Sequence, residues 1–206
     1  MQLPPGLMVV LKKSTKYETY NALTRSDYIE VYHNKLSSKA CDSIISFFNQ
    51  NALWNPSTFS NNKENTGKIS KVDMNEYWIT DKDQYYDVLK KTFRSAVDEY
   101  IKVHTRITPT AYTAFRMNHY AEGGFMRNHV DNIYRSHGQQ YGYPHLTSLL
   151  FLNDNYKGGE FMMLDESYKP EIKKGSVIVF PSNFMYDHEV KKVTEGNRYT
   201  IMTWIM

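Results

Sequence analysis

At 206 residues the chain is long enough to fill one core and short for two, so a single domain over residues 1–206 is expected. A hydrophobic fraction of 41% and an aromatic fraction of 15%, with 17 Tyr and 10 Phe, exclude global disorder and favour a β-rich interior, because aromatic side chains suit pleated surfaces. The formal charge of +3, from 25 basic and 22 acidic residues with no dense Lys/Arg block, gives no electrostatic reason to expect nucleic acid as a partner.

In chain order, the first apolar run, residues 7–11, is too short for a signal h-region, and no later run reaches the length of a membrane span. A lone Cys41 cannot form an internal disulfide, so a reducing, cytoplasmic location without membrane attachment is expected. Residues 28–33 alternate like a strand, and Ser37 or Ser38 can cap a helix running to Asn49, with Ile44, Ile45, Phe47 and Phe48 as its apolar positions. Residues 51–68 are rich in Asn, Ser, Thr and Lys and read as a long surface loop of the kind that often serves as a lid.

A strand over 69–79 and a helix over 83–104 follow, the helix carrying Tyr86, Val88, Leu89, Phe93, Val97, Tyr100 and Ile101 at helical spacing. Beyond Pro109 the texture changes to short β-like runs at 110–120, 126–131, 145–153, 159–164, 176–180, 186–192 and 198–205. The expected class is therefore α+β and mainly β. Helices within about 1–108 would buttress a barrel or sandwich built from about 109–206.

Within that half, His129 and Asp131 stand two apart on a β-like run, so both would face one side of a strand and could hold one ion. His188, beside another such run, could complete a set of two imidazoles and one carboxylate. Three protein ligands leave positions open for a bidentate keto acid and oxygen, a pattern that implies Fe(II) and catalysis, whereas a closed structural zinc site needs a fourth ligand. Arg198 opens an apolar run in which Arg198, Thr200, Met202 and Trp204 share a face. A guanidinium buried there needs an anion, and the far end of a dicarboxylate would supply one. Trp204 reads as a core residue that also walls the pocket.

Several features occur in an order that resembles the prolyl 4-hydroxylase-like branch of the 2-oxoglutarate/Fe(II) dioxygenases. They are Tyr120-x-x-Gly123, His129-x-Asp131-Asn132, Leu146-Thr-Ser-Leu-Leu-Phe-Leu-Asn153, Gly158-Gly-Glu-Phe161, Lys174-Gly-Ser-Val-Ile-Val-Phe180, His188-Glu-Val and Arg198. The resemblance covers about residues 110–205 and, more faintly, 28–49. It implies a double-stranded β-helix, a jelly-roll or cupin-like barrel, with iron held by His129, Asp131 and His188. It also implies that Arg198 pairs with the C5 carboxylate of 2-oxoglutarate and that Tyr120 lines the co-substrate pocket, helped by Thr200 and Thr147. The implied reaction consumes O2 and 2-oxoglutarate, hydroxylates a C–H bond and releases succinate and CO2.

A protein or peptide side chain, proline among the candidates, is the expected target, with Arg135 in the loop after the metal ligands as a candidate substrate contact. Two positions depart from the resemblance: Met126 and Phe151 stand where tyrosines are common. Base-demethylating relatives usually carry a second arginine six residues after the first, where this chain has Trp204. The alternatives are a non-catalytic cupin-like barrel holding a metal or metabolite, and an oxygenase acting on nucleic acid or a small molecule. His33, His104, His119, His137 and His145 are expected outside the ligand set, and Gly158 and Gly159 are expected to form a turn.

Overall fold

A computed structural model describes residues 23–57, 72–131 and 143–206. Arg135, His137 and most of the loop expected at 51–68 lie outside the described residues. The first strand, β1 (Glu30–Tyr32), follows a 3-10 turn at Arg25–Tyr28 and is shorter than the 28–33 expected from alternation. Helix α1 (Ser38–Asn51) starts where Ser37 accepts a hydrogen bond from the Ala40 amide, and it buries Cys41, Ile44 and Phe48. Helix α2 (Tyr86–Val103) buries Leu89, Phe93, Ala96, Val97 and Tyr100 along one stripe, matching the helix expected over 83–104.

The strand expected at 69–79 is in fact two, β3 (Val72–Asp73) and β4 (Asn75–Ile79), and they belong to different sheets. A short β2 (Asn55–Pro56), within the segment read as loop, pairs with β4. The remaining strands are β5 (Phe115–Tyr120), β6 (Phe125–His129), β7 (Leu146–Phe151), β8 (Lys157–Gly158), β9 (Phe161–Met163), β10 (Val177–Pro181), β11 (His188–Val190), β12 (Val193–Glu195) and β13 (Arg198–Ile205). Residues 110–114 run beside β13 without forming a strand, held by bonds such as Thr110 N–H to the Met206 carbonyl. The run at 186–192 ends early because β12 turns away to pair with β8.

Every pairing between these strands is antiparallel. A seven-stranded sheet, β1-β10-β7-β13-β5-β4-β2, faces a four-stranded one, β3-β6-β11-β9, to give the double-stranded β-helix. Side-chain alternation explains how the large sheet is buried on both sides. Met117, Leu150, Val177, Val179, Ile201 and Ile205 meet α1 and α2 in one cluster. Tyr120, Leu149, Phe151, Ile178, Phe180, Met202 and Trp204 point the other way and meet Val72, Met126, Phe161, Met163 and Val190 of the small sheet. The helices thus buttress one face, and the space between the sheets is left for the site.

One glycine pins the two layers together. Gly175 has φ of +78°, its amide donates to the Phe151 carbonyl, and its own carbonyl accepts from Lys35 and Leu36 ahead of α1. A Cβ there would run into the Leu36 carbonyl oxygen in a backbone conformation that L residues avoid. Gly175→Ala is expected to destabilise the fold by about 3 kcal/mol, the upper range for strain combined with a clash. Urea unfolding checks this, and a midpoint unchanged from the native protein would contradict it.

Candidate active site

The sheet register creates the metal-binding geometry. His129 and His188 are direct cross-strand partners in β6 and β11, and their ring centroids are 4.2 Å apart. Strand β6 ends at His129, so Asp131 does not share its strand, contrary to the spacing argument; the pairing with β11 stops there and the carboxylate arrives from the turn that follows. The outcome for the ligand atoms is the one expected. Asp131 Oδ1 lies 3.6 Å from His129 Nε2 and 3.8 Å from His188 Nε2, and one ligand atom from each residue falls within 4.8 Å of the others.

Each imidazole is oriented by its other nitrogen. His129 Nδ1 lies 2.9 Å from the Arg127 carbonyl oxygen, and His188 Nδ1 lies 3.2 Å from that of Tyr186. A carbonyl can only accept, so Nδ1 carries the proton and Nε2 presents its lone pair toward Asp131. Burial, reinforced by the neighbouring His188, pushes the His129 pKa down to about 4, so this ring needs no proton removed before it binds a cation near neutral pH. Burial alone would raise the Asp131 pKa, but His188, His129, Thr147 and Trp204 outweigh it and hold the carboxyl as the anion.

Thr147 donates to Asp131 Oδ2 at 2.6 Å and sits 2.8 Å from Ser182 Oγ. Its hydroxyl therefore supports the carboxylate directly. Thr147→Val is expected to weaken Fe(II) binding by about tenfold to a hundredfold, the usual cost of losing an outer partner of a metal ligand. Anaerobic competition against a colorimetric chelator measures it; an unchanged affinity would remove Thr147 from this role.

Arg198 is 1% exposed, and its guanidinium carbon lies 5.1 Å from the Tyr120 ring centre and 5.4 Å from that of Phe151. Its Nε, Nη1 and Nη2 have no hydrogen-bond acceptor among the described residues. A buried cation with three unsatisfied nitrogens is costly unless an anion completes it, and a carboxylate matches the planar fork. Two imidazoles and one carboxylate likewise suit Fe(II) with open coordination positions. The residues present thus fit both groups.

An open-sided cavity reaches the three ligands and is also lined by Arg116, Asn118, Tyr120, Thr147, Phe161 and Met202. Arg198 lies at its Tyr120 end, against that ring, and does not itself line the cavity. Thr200, fully buried, is 3.4 Å from Asn118 Nδ2. Trp204 lies on the same inter-sheet face, beside Asp131 and Arg116. His119 stacks on Tyr199 at 4.6 Å, on the helix side, and His33 bonds Ser176, so neither approaches the cluster. Arg116, Asn118 and Glu76 were missed in the sequence. Arg116 and Asn118 follow from alternation once β5 is seen to end at Tyr120, whereas Glu76 is brought in only by pairing of β4 with β5.

A double-stranded β-helix carrying a two-histidine, one-carboxylate cluster beside a buried guanidinium with no acceptor among the described residues is the arrangement that a non-haem iron oxygenase using a keto acid needs. Residues 115–206 match the model of the 2OG-Fe(II) oxygenase superfamily. That segment carries all three ligand residues and Arg198 and is similar to that superfamily; together with the His-Asp-His cluster it indicates a hydroxylating dioxygenase dependent on Fe(II), 2-oxoglutarate and O2, prolyl 4-hydroxylase-like in fold.

A PKHD-type hydroxylase of Rippkaea orientalis is 28% identical over 151 residues, covering 71% of this chain and 67% of its own. One from Psychrobacter sp. is 24% identical over 184 residues, covering 86% and 68%. Among solved structures, a Pseudomonas putida prolyl-4-hydroxylase superposes with a TM-score of 0.63 at 17% identity, over 86% of this chain and 91% of that one. A Trichoplax adhaerens prolyl hydroxylase, in complex with a hypoxia inducible factor peptide fragment, gives 0.68 at 20% identity, over 88% and 84%.

Proposed function

We propose that the chain hydroxylates a side chain of a protein or peptide, proline among the candidates, as one domain acting in the cytoplasm. His129, Asp131 and His188 hold the iron, and Arg198 takes the C5 carboxylate of 2-oxoglutarate, with Tyr120, Thr200, Thr147 and Trp204 around it. The observation that carries these assignments is the conjunction, within one inter-sheet space, of three converging ligand atoms and a buried guanidinium with no acceptor among the described residues. The peptide reading is supported by the open side of the cavity and by the peptide-bound Trichoplax neighbour. No helix among the described residues is long and apolar enough to cross a membrane.

When bound, Fe(II) would let O2 act as the oxidant, with 2-oxoglutarate giving two electrons as it becomes succinate and CO2 and the C–H bond giving the other two as it is hydroxylated. The protein's own contribution is positional. Carbonyls of Arg127 and Tyr186 fix both tautomers, and Thr147 fixes one oxygen of Asp131 so that the other faces the imidazoles. Phe161 and Phe180, with ring centres 5.5 and 5.1 Å from that of His188, keep that side of the cluster dry. Arg198 would orient the co-substrate through its far carboxylate, which matches the planar guanidinium fork.

Succinate formation tests the reading, measured with Fe(II) and 2-oxoglutarate against peptides, free amino acids and oligonucleotides. Stimulation by a peptide, with a mass gain of one oxygen, is the expected result. Stimulation by oligonucleotides or amino acids alone would replace the peptide reading.

A further inference from the structure

The cavity is lined by an arginine of its own, Arg116, whose setting differs from that of Arg198. Arg116 is 8% exposed, and its guanidinium carbon lies 5.7 Å from the Trp78 ring centre and 5.6 Å from that of Trp204. Its Nη2 donates to Met202 Sδ at 2.8 Å, a weak acceptor. Glu76 Oε2 is 3.7 Å from Nη1, close enough to neutralise the charge and too far for a hydrogen bond, while Glu76 Oε1 accepts from the Trp78 indole at 3.3 Å. Arg116 Nε is buried and has no acceptor among the described residues. Buried donors of this kind are nearly always satisfied, so an acceptor from outside is called for.

We propose that Arg116 is the residue that anchors the substrate, donating to a neutral acceptor, the backbone carbonyl of a peptide whose target side chain lies at the metal cluster. Three observations select that chemistry. Arg116 lines the same cavity as His129 and Asp131, so a group held by it shares the space that the cluster faces. Glu76 already balances its charge, and a second carboxylate would be repelled by Glu76 and Asp131; Arg198, with no acidic partner among the described residues, is the place for the dicarboxylate. The two indoles and Glu76 hold the guanidinium plane before anything binds, which lowers the ordering cost of recognition. The proposal rests on the peptide reading above.

The test uses blocked hexapeptide pools, N-acetylated and C-amidated, each with one residue type fixed at the centre. The pool that most stimulates succinate formation by the native protein is carried forward. Its binding is also read without turnover, by anaerobic quenching of tryptophan fluorescence, since Trp78 and Trp204 flank the proposed contact. In the Arg116→Gln/Glu76→Gln double variant, which strands no charge, the peptide KM and dissociation constant are expected to rise about tenfold to a hundredfold, the range of a charge-assisted hydrogen bond. The 2-oxoglutarate dissociation constant is expected to move less than about threefold, because sites with no shared partner are nearly independent. Arg116→Lys, which keeps the charge and loses the fork, is expected to shift the same two constants in the same direction and guards against a misfolded double variant.

Unchanged peptide binding in both variants would overturn the proposal, as would a loss of 2-oxoglutarate affinity matching that of peptide. An Arg116-dependent preference for pools with a free terminal carboxylate would replace the neutral acceptor by an anion. If no pool stimulates the native protein, the peptide reading itself falls and takes the proposal with it, a failure seen before any variant is made.

Discussion

Succinate formation by His188→Ala is expected to fall by about a thousandfold or more, the scale seen when one member of a group acting as a unit is removed. The geometry allows no substitute. His188 is 5% exposed, its ring is pinned through Nδ1 to the Tyr186 carbonyl, and its Nε2 supplies one of only three ligand atoms in the cluster. Without it, His129 and Asp131 remain as a two-point site of much lower affinity. Fe(II) binding should therefore be lost together with activity, while far-UV circular dichroism stays native, because β11 keeps its pairing with β6 and β9. A variant that still binds iron tightly and turns over would show that the metal sits elsewhere. Treating the native protein with a chelator should reproduce the loss, and added Fe(II) should reverse it only in the native protein.

Arg198→Met separates the co-substrate from the metal. Affinity for 2-oxoglutarate is expected to drop about a hundredfold or more, the cost of removing one side of a buried, hydrogen-bonded charge pair. Fe(II) affinity should change little, since the Arg198 guanidinium packs on Tyr120 and Phe151 rather than on the ligands. Stability should move the other way. With no co-substrate present, the native protein buries a cation without an acceptor among the described residues, and an apolar side chain of similar length is expected to relieve that by roughly 2 kcal/mol, or roughly 4–8 °C in Tm. Added 2-oxoglutarate should raise the Tm of the native protein and leave that of the variant unmoved. Equal losses of iron and 2-oxoglutarate binding, or a variant less stable than the native protein, would contradict the role assigned to Arg198.

These two variants and the Arg116 series probe three different bonds of one cavity. The metal ligands come from the small sheet and the turn after it, whereas both arginines come from the large sheet, Arg198 on β13 and Arg116 on β5. Met202 of β13 is the register partner of Arg116, and Arg198 is that of Tyr120, so the two guanidiniums mark different levels of the same wall. On the proposed roles, co-substrate and target would be bound by separate cations, a division by which a dicarboxylate and an uncharged peptide group could be told apart.

Much of this was legible in residue order. Helix α2 shows in the spacing of Leu89, Phe93, Val97 and Tyr100, and β13 matches the run 198–205 because its eight residues are buried on both faces and strongly β-forming. The burial of Arg198 followed from the apolar residues after it. Other features depended on partners distant in the chain. The break at Met74 sends β3 and β4 to opposite sheets, which no local pattern reports. The short strands β8 and β12 exist only because they meet, and neither is long enough to show a period.

By itself, the sequence determined which side chains can bind a metal and a dicarboxylate, because donor chemistry is a property of residue type and the period-2 phase of β13 follows from covalent geometry. Tertiary structure alone decided that His129 faces His188 across two strands, that Asp131 reaches them from a turn, and that Glu76 and two indoles frame Arg116. Those facts are matters of register between segments up to 128 residues apart, from Glu76 to Trp204. Register is set by how whole sheets pack, which the order of residues encodes only through the fold.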